Sequence, residues 1–265
     1  MKVVSTVSKS NGKRCVIVFV KAPKEGMVKS RLAAFLGEKT ARALYRCFVE
    51  DIIATLNRGA HPVIIYFSPA RALAEIKSWL GVKRRYVPQT GDDLGQRMRN
   101  AFLEMFSTGI DSVILVGSDI PDITKELLEE AFDSLDDHDV VIGPAHDGGY
   151  YLIGFNRGFF LPDVFEEIEW STPHVFAETT RRLIKRGLRV RVLDRKRDID
   201  TVDDLAAYYR DGIKSGLKGS VTMGYLDSHR GDLSQVRGFS QGVTRGHELK
   251  DRVIRATPVS GKEGG

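Results

Sequence analysis

The stretch Val113-Ile114-Leu115-Val116-Gly117-Ser118-Asp119-Ile120-Pro121 constrains this chain most. Four apolar, mostly β-branched residues in an unbroken run suit a strand buried on both faces, the kind found at the centre of a parallel sheet. The Gly-Ser pair breaks the strand, Pro121 stops it from continuing, and a helical pattern runs from Thr124 to Leu135. In an open α/β sheet, ligands collect in the crevice beyond the carboxyl ends of the strands, which is where Asp119 falls. A carboxylate there suits holding a divalent cation against a nucleotide phosphate. Shaping a turn or capping the next helix explains the same aspartate.

The rest of the chain repeats this rhythm. Arg14–Val20 is a continuous apolar run and the expected central strand, followed by a Lys/Pro/Gly-rich loop, a helix through Leu36 and a second helix over Lys39–Leu56. Strands are expected at Pro62–Phe67, Lys83–Val87, Asp139–Gly143, Tyr150–Phe155 and Arg189–Leu193. Helices are expected at Ala70–Leu80, Leu94–Phe106, Pro173–Arg186 and from Thr201 to about Arg210, with Asp92 or Asp93 placed to cap the second of these. Such alternation predicts a single-domain α/β fold: a mostly parallel, open twisted sheet with helices on both faces, Rossmann-like in layout. No helix separates the strands Asp139–Gly143 and Tyr150–Phe155, so the rhythm changes there.

Composition narrows the function classes. The formal charge of +5 suggests nucleic acid, but residues 14–212 carry 28 basic and 30 acidic groups, so the excess sits in the termini and no nucleic-acid surface is implied. No apolar run approaches the roughly 18 residues of a membrane span. Residues 1–13 are polar and lack a signal-peptide core, so a cytoplasmic location is expected. Cys15 and Cys47 have no metal-ligand or CxxC spacing and read as reduced core thiols. Ten of the 26 glycines fall in residues 213–265, which read as a flexible Gly/basic-rich tail; 1–13 form a polar N-terminal tail and 14–212 the catalytic domain. A dimer would use a sheet edge or that tail, and the sequence leaves the oligomeric state open.

Four clusters sit at strand ends. Lys21, Pro23, Gly26, Lys29 and Arg31 belong to a loop whose three cations surround a glycine at a strand-to-helix turn, suited to phosphate oxygens. It lacks P-loop spacing, and a solvated basic loop is the competing explanation. Gly91, Asp93, Gly95 and Arg97 lie in TGDDLGQRM, where glycines allow close backbone approach and Arg97 suits a phosphate or base; helix capping alone explains the aspartates. Asp147, Gly148, Gly149 and Tyr150 form a loop suited to approaching a ligand or to a tight turn. Asp147 and His174 are the candidate general bases. The fourth cluster, Arg197–Leu205, resembles the DxDx[TV] element of haloacid-dehalogenase phosphatases, but only about 60 residues follow and no long domain fits there. Asp200 is better read as the second carboxylate for a cation shared with Asp119, since magnesium needs few protein ligands.

Together these clusters resemble the nucleotide-diphospho-sugar transferase superfamily with its glycosyltransferase-A-like fold, and within it the radical-SAM/selenodomain-associated transferase family. The resemblance covers roughly 14–210 and runs through KAPKEGMVKSRL, TGDDLGQRM, LVGSDIPDI, GPAHDGGYYLIG, WSTPHV and DIDTVDDL, in that order. The first element is also similar to that of 2-phospholactate guanylyltransferases, and IDTVDDL to the IDTPEDL-like segment of cytidylyltransferases. The resemblance implies Asp119 and Asp200 as ligands of Mg²⁺ or Mn²⁺, and Lys21, Lys29 and Arg31 as phosphate contacts. Two positions depart from the patterns: Val202 stands where cytidylyltransferases have proline, and Asp119 lies in GSDIP, not a full DxD. Trp170, Thr172 and His174, with Gly148, Gly149 and Tyr150, are placed on the acceptor side, although a packed tryptophan and a capped helix explain the first three equally well.

The expected function is metal-dependent transfer from a nucleotide-activated donor to a small-molecule acceptor. Glycosyl transfer from an NDP-sugar is the main expectation. The alternatives are nucleotidyl transfer of guanylyl or cytidylyl type, with pyrophosphate leaving, and a nucleotide-binding protein without turnover.

Overall fold

The computed structural model describes residues 12–215, 217 and 219–233. Its elements in chain order are β1 (Arg14–Lys21), α1 (Ser30–Leu36), α2 (Glu38–Arg58), β2 (Val63–Ser68), α3 (Leu73–Leu80), β3 (Arg85–Pro88), α4 (Leu94–Ser107), β4 (Ser112–Val116) and α5 (Lys125–Asp137). They continue with β5 (Val140–Pro144), β6 (Tyr150–Asn156), α6 (Val175–Lys185), β7 (Val190–Val192), α7 (Val202–Ser215), α8 (Val221–Ser228) and α9 (Arg230–Leu233).

The seven strands are ordered β3-β2-β1-β4-β6-β5-β7. All pairings are parallel except those of β6, which lies antiparallel between β4 and β5. The missing helix between β5 and β6 is the local cause, because strands joined by a short loop pair antiparallel. From β1 the chain builds outward to β2 and β3, and from β4 it builds the other way. The crevice between the carboxyl ends of β1 and β4 is therefore the topological switch point. Register pairs Val18 with Val116, so Lys21 and Asp119 emerge together at that crevice.

Alternate residues of β1 serve opposite faces of the sheet. Val16, Val18 and Val20 pack with α2, α3 and α5, while Cys15, Ile17 and Phe19 pack with α4 and the loops before α6. Both cysteines are free and buried, and burial pushes each thiol up to about 12. Among the described residues no helix is long and apolar enough to cross a membrane.

A third cluster corrects the expectation that a tail begins at 213. α7 continues to Ser215, and Met223, Leu226 and Leu233 are buried with Leu32 of α1 and Leu44 and Phe48 of α2. The carboxylate of Asp51, in the middle of α2, fixes the start of α8. It accepts from Ser220 Oγ at 2.8 Å, Val221 N at 2.7 Å and Thr222 N at 2.9 Å. The remainder of the expected tail, and residues 1–11 of the expected N-terminal one, lie outside the described residues.

Candidate active site

The switch-point crevice opens into a cavity of about 640 Å³, within the size range of small-ligand sites. Each wall traces to a strand end. β1 ends at Lys21, whose backbone N–H donates to Tyr45 Oη at 2.8 Å; Tyr45 Oη lies 3.2 Å from Ser118 Oγ, just beyond β4. This buried tyrosine of α2 joins the two strand ends, and burial pushes its hydroxyl up to about 12, so it stays protonated. Ile199 N donates to the carbonyl of Asp119 at 3.1 Å, which draws the segment before α7 alongside β4 and sets Asp200 next to Asp119.

Lys29 is the centre of the site. Its Nζ lies 2.5 Å from Asp119 Oδ1 and 2.8 Å from Asp200 Oδ1. Its side chain is 2% exposed, against 52% for Asp119 and 36% for Asp200, so the ammonium is sealed beneath carboxylates that face the cavity. The nitrogen also sits 5.7 Å from the centre of the Phe48 ring. Burial works to lower the Lys29 pKa, but the two carboxylates outweigh it and hold the amine above its ordinary value. The crowding of Asp119 by protein works to raise its pKa, and Lys29 outweighs that in turn, leaving the carboxyl below its ordinary range. The backbone of Lys29 is left-handed at φ 51 and ψ 47. A lysine adopts that geometry at a cost of roughly 1–2 kcal/mol, the kind of strain found at functional positions.

Of the residues named from sequence, Lys21, Lys29, Arg31, Arg97, Asp119, Asp147, Gly149, Tyr150, Trp170, Thr172 and Asp200 line this one cavity. Pro23, Gly26, Gly91, Asp93, Gly95, Gly148 and His174 do not. Gly26 N donates to Glu38 at the start of α2, and Pro23 is buried under the same loop. Asp93 caps α4, accepting from Gln96 N at 2.7 Å. Arg97 turns back so that Nε donates to the Gly91 carbonyl at 3.0 Å. Gly95 makes room for the protein itself: a Cβ there would lie 2.6 Å from the Trp170 ring and 2.5 Å from the Phe165 carbonyl. Gly148 likewise lies against Pro173, at a φ of +91. His174 is exposed at the start of α6 and is not among the lining residues, although Thr172 and Val175 on either side of it are.

Among the lining residues that sequence does not single out are Ser118 and Asp198. Ser118 is buried by its contact with Tyr45. Asp198 also faces the cavity, and burial, then the charge of Asp147, pushes its carboxyl up to about 6. Its place two residues before Asp200, in a segment running beside a strand end, was the available signal.

Asp119 and Asp200 converge on one nitrogen atom, so the place that the ammonium holds is one where a divalent cation would take an oxygen from each. Among the described residues no group of three His, Cys, Asp or Glu is placed to hold a metal. Two carboxylates completed by phosphate oxygens and water suffice for magnesium or manganese.

A sheet and crevice of this kind suit a nucleotide ligand, and the relatives of this chain make it a nucleotide-dependent transferase. Residues 52–172 match a family described as uncharacterized proteins conserved in bacteria (DUF2064). A crystal structure from Desulfovibrio desulfuricans G20, assigned to the nucleotide-diphospho-sugar transferases, is 39% identical and superposes with a TM-score of 0.82. The match covers 85% of this chain and 98% of that one. The chain belongs to this nucleotide-diphospho-sugar transferase superfamily. It is also 28% identical over 200 residues to a 2-phospho-L-lactate guanylyltransferase of Methanocaldococcus sp., covering 72% of this chain and 82% of that protein. A phosphoenolpyruvate guanylyltransferase of Sphaerobacter thermophilus is 26% identical over 209 residues, covering 77% and 99%.

Proposed function

We infer that this chain is a nucleotidyltransferase that activates a small phosphorylated or carboxylic metabolite, most simply with GTP. An acceptor oxygen attacks the α-phosphorus, the bond from that phosphorus to the bridging oxygen breaks, and pyrophosphate leaves with the electron pair. The carrying observation is the gathering of Lys21, Lys29, Arg31 and Arg97 around one cavity with Asp119 and Asp200. With Lys29 paired to the two aspartates, Lys21, Arg31 and Arg97 are left to meet phosphate oxygens or an anionic acceptor, and a cation held by Asp119 and Asp200 would add to them. In this reading Lys21, Arg31 and Lys29 grip the phosphates and Arg97 orients donor or acceptor. Asp119 and Asp200 hold Mg²⁺ or Mn²⁺, which when bound supplies further neutralisation of phosphate charge. The two guanylyltransferase relatives support the choice, since their names specify phosphorylated small acids as substrates.

Glycosyl transfer from an NDP-sugar is the second reading, favoured by the 39% identical relative. Against it stands the strand end after β4, where Gly117 and Ser118 precede Asp119 and a second DxD carboxylate is missing. To separate the two, the purified chain is incubated with Mn²⁺, each of the four NTPs, and phosphoenolpyruvate, 2-phospholactate or related acids, and pyrophosphate is measured. Acceptor-dependent pyrophosphate from one NTP, lost in Asp119→Ala, is the expected result. Release of NDP from an NDP-sugar, with no pyrophosphate from any NTP, would replace this reading with glycosyl transfer.

A further inference from the structure

Lys29 stands where a cation held by Asp119 and Asp200 would stand. One oxygen of each carboxylate is already directed at Nζ, at 2.5 and 2.8 Å; both carboxylates are partly exposed to the cavity, and the second oxygen of Asp200 lies 3.8 Å from the Arg31 guanidinium. Two positive centres cannot share that gap, because at about 3 Å like charges repel strongly even when partly screened. The lysine is also held there by its own backbone. It is the N-terminal cap residue of α1 in left-handed geometry, and its side chain makes no capping bond, being committed to the two aspartates.

We propose that Lys29 is an exchangeable internal counter-ion: it keeps the Asp119–Asp200 pair from taking up a free divalent cation, and releases the pair when phosphates draw it into the cavity. The proposal rests on the reading of Asp119 and Asp200 as the metal pair. It makes cation and nucleotide binding interdependent, each raising the affinity of the other by the same factor. If the lysine occupies the slot in nine molecules of ten or more, the affinity for free cation is reduced at least about tenfold. A cation held only alongside phosphates would then be absent from the empty enzyme, and the charge needed for transfer would assemble with the donor.

The test is a titration of the full chain with Mn²⁺ alone, followed by calorimetry or by the loss of the free-ion paramagnetic signal. Wild type is compared with Lys29→Gln and with Lys29→Asn, the latter chosen because asparagine tolerates left-handed backbone. Both variants, shown folded by their melting curves, are expected to bind one Mn²⁺ at least about tenfold tighter than wild type, and to lose it when Asp200→Asn is added. Equal affinity in wild type and folded variants overturns the proposal. A second measurement needs no variant: reductive methylation of Lys29 in wild type, read by mass spectrometry, is expected to speed up at least threefold at saturating Mn²⁺. An unchanged rate overturns the proposal too. Neither measurement contains a nucleotide, so failure here is distinct from failure to release pyrophosphate.

Discussion

Replacing Asp51 by alanine tests how the C-terminal helices are held to the rest of the fold. Asp51 is 7% exposed and accepts three hydrogen bonds from Ser220, Val221 and Thr222, 169 to 171 residues further along the chain. Val221 and Thr222 supply first-turn N–H groups that α8 cannot satisfy internally, so Asp51 serves as a cap lent by another helix. Hydrogen bonds to a carboxylate contribute about 1.5–3 kcal/mol each when measured singly, and loss of a side-chain cap costs about 0.5–2 kcal/mol. The three bonds share one acceptor, and Ser220 is reached by water while Thr222 is fully buried, so their losses overlap. The expected cost is about 3 kcal/mol, a large share of the roughly 5–15 kcal/mol that stabilises a typical domain.

Urea unfolding gives the global number, and amide hydrogen exchange across 221–228 gives the local one. If α8 lifts before the whole domain unfolds, protection there drops by about a hundredfold for each 2.7 kcal/mol removed. Ser220→Ala deletes one of the three donors together with the cap that Ser220 Oγ gives Met223 N and its contact with Tyr208 Oη, and is expected to cost about 1–2 kcal/mol. A cost below about 1 kcal/mol for Asp51→Ala, or a destabilisation that leaves exchange over 221–228 unchanged, would refute the capping argument.

Three further perturbations follow from the same geometry. Gly95→Ala forces a methyl into the Trp170 ring and the Phe165 carbonyl, and is expected to cost about 1–3 kcal/mol in urea unfolding; a neutral result would mean that this wall yields. Asp198 has its carboxyl pushed up to about 6, so the folded state keeps a proton that the unfolded chain has released between the ordinary 3.8 and about 6, and stability falls as pH rises through that window. Asp198→Asn removes the penalty and is expected to gain, after allowance for solvent screening, about 1–2 kcal/mol at pH 7.5 and nothing below pH 3.8, compared by urea unfolding at both pH values. An equal gain at both would exclude this cause. Asp139 is the opposite case: its burial works to raise the pKa, but the side-chain and backbone hydrogen bonds from Arg189 hold it below 3.8, so its contribution is present above 3.8 and fades as pH falls through the lowered value. Asp139→Asn is expected to lose about 1–3 kcal/mol at pH 7, with the difference closing in acid, which pH-dependent melting curves would show or deny.

The parts of the fold legible in the sequence are those whose signal is local. The wholly apolar runs of β1, β2, β4 and β5 announce buried strands because nothing but a two-sided core accommodates them. Asp93 announces α4 because a cap acts within one turn. The helices after 213 stayed hidden because Met223, Leu226 and Leu233 are few among Gly, Ser and Lys, and they are held by contacts with residues far back in the chain. Asp51 was silent for the same reason: an aspartate midway through α2 reads as a solvent-facing charge until Ser220–Thr222 arrives to meet it.

At the site, sequence named the charged residues but not their partners. A glycine in a strand-end loop shows only that something comes close, and at Gly95 and Gly148 that something is Trp170 and Pro173, not a ligand. Sequence marks Lys29 as a phosphate contact and Asp119 and Asp200 as cation ligands, each from its own motif. Folding adds that they are one unit, in which Lys29, with Arg31 3.8 Å from Asp200, balances the two carboxylates while the burial of the lysine is compensated by them. A site of this kind is electrically complete without ligands, so any phosphate or cation that enters must compete with an interaction already made. Affinity is then set by the difference between the internal and external partners, and Lys29 governs that difference on both sides.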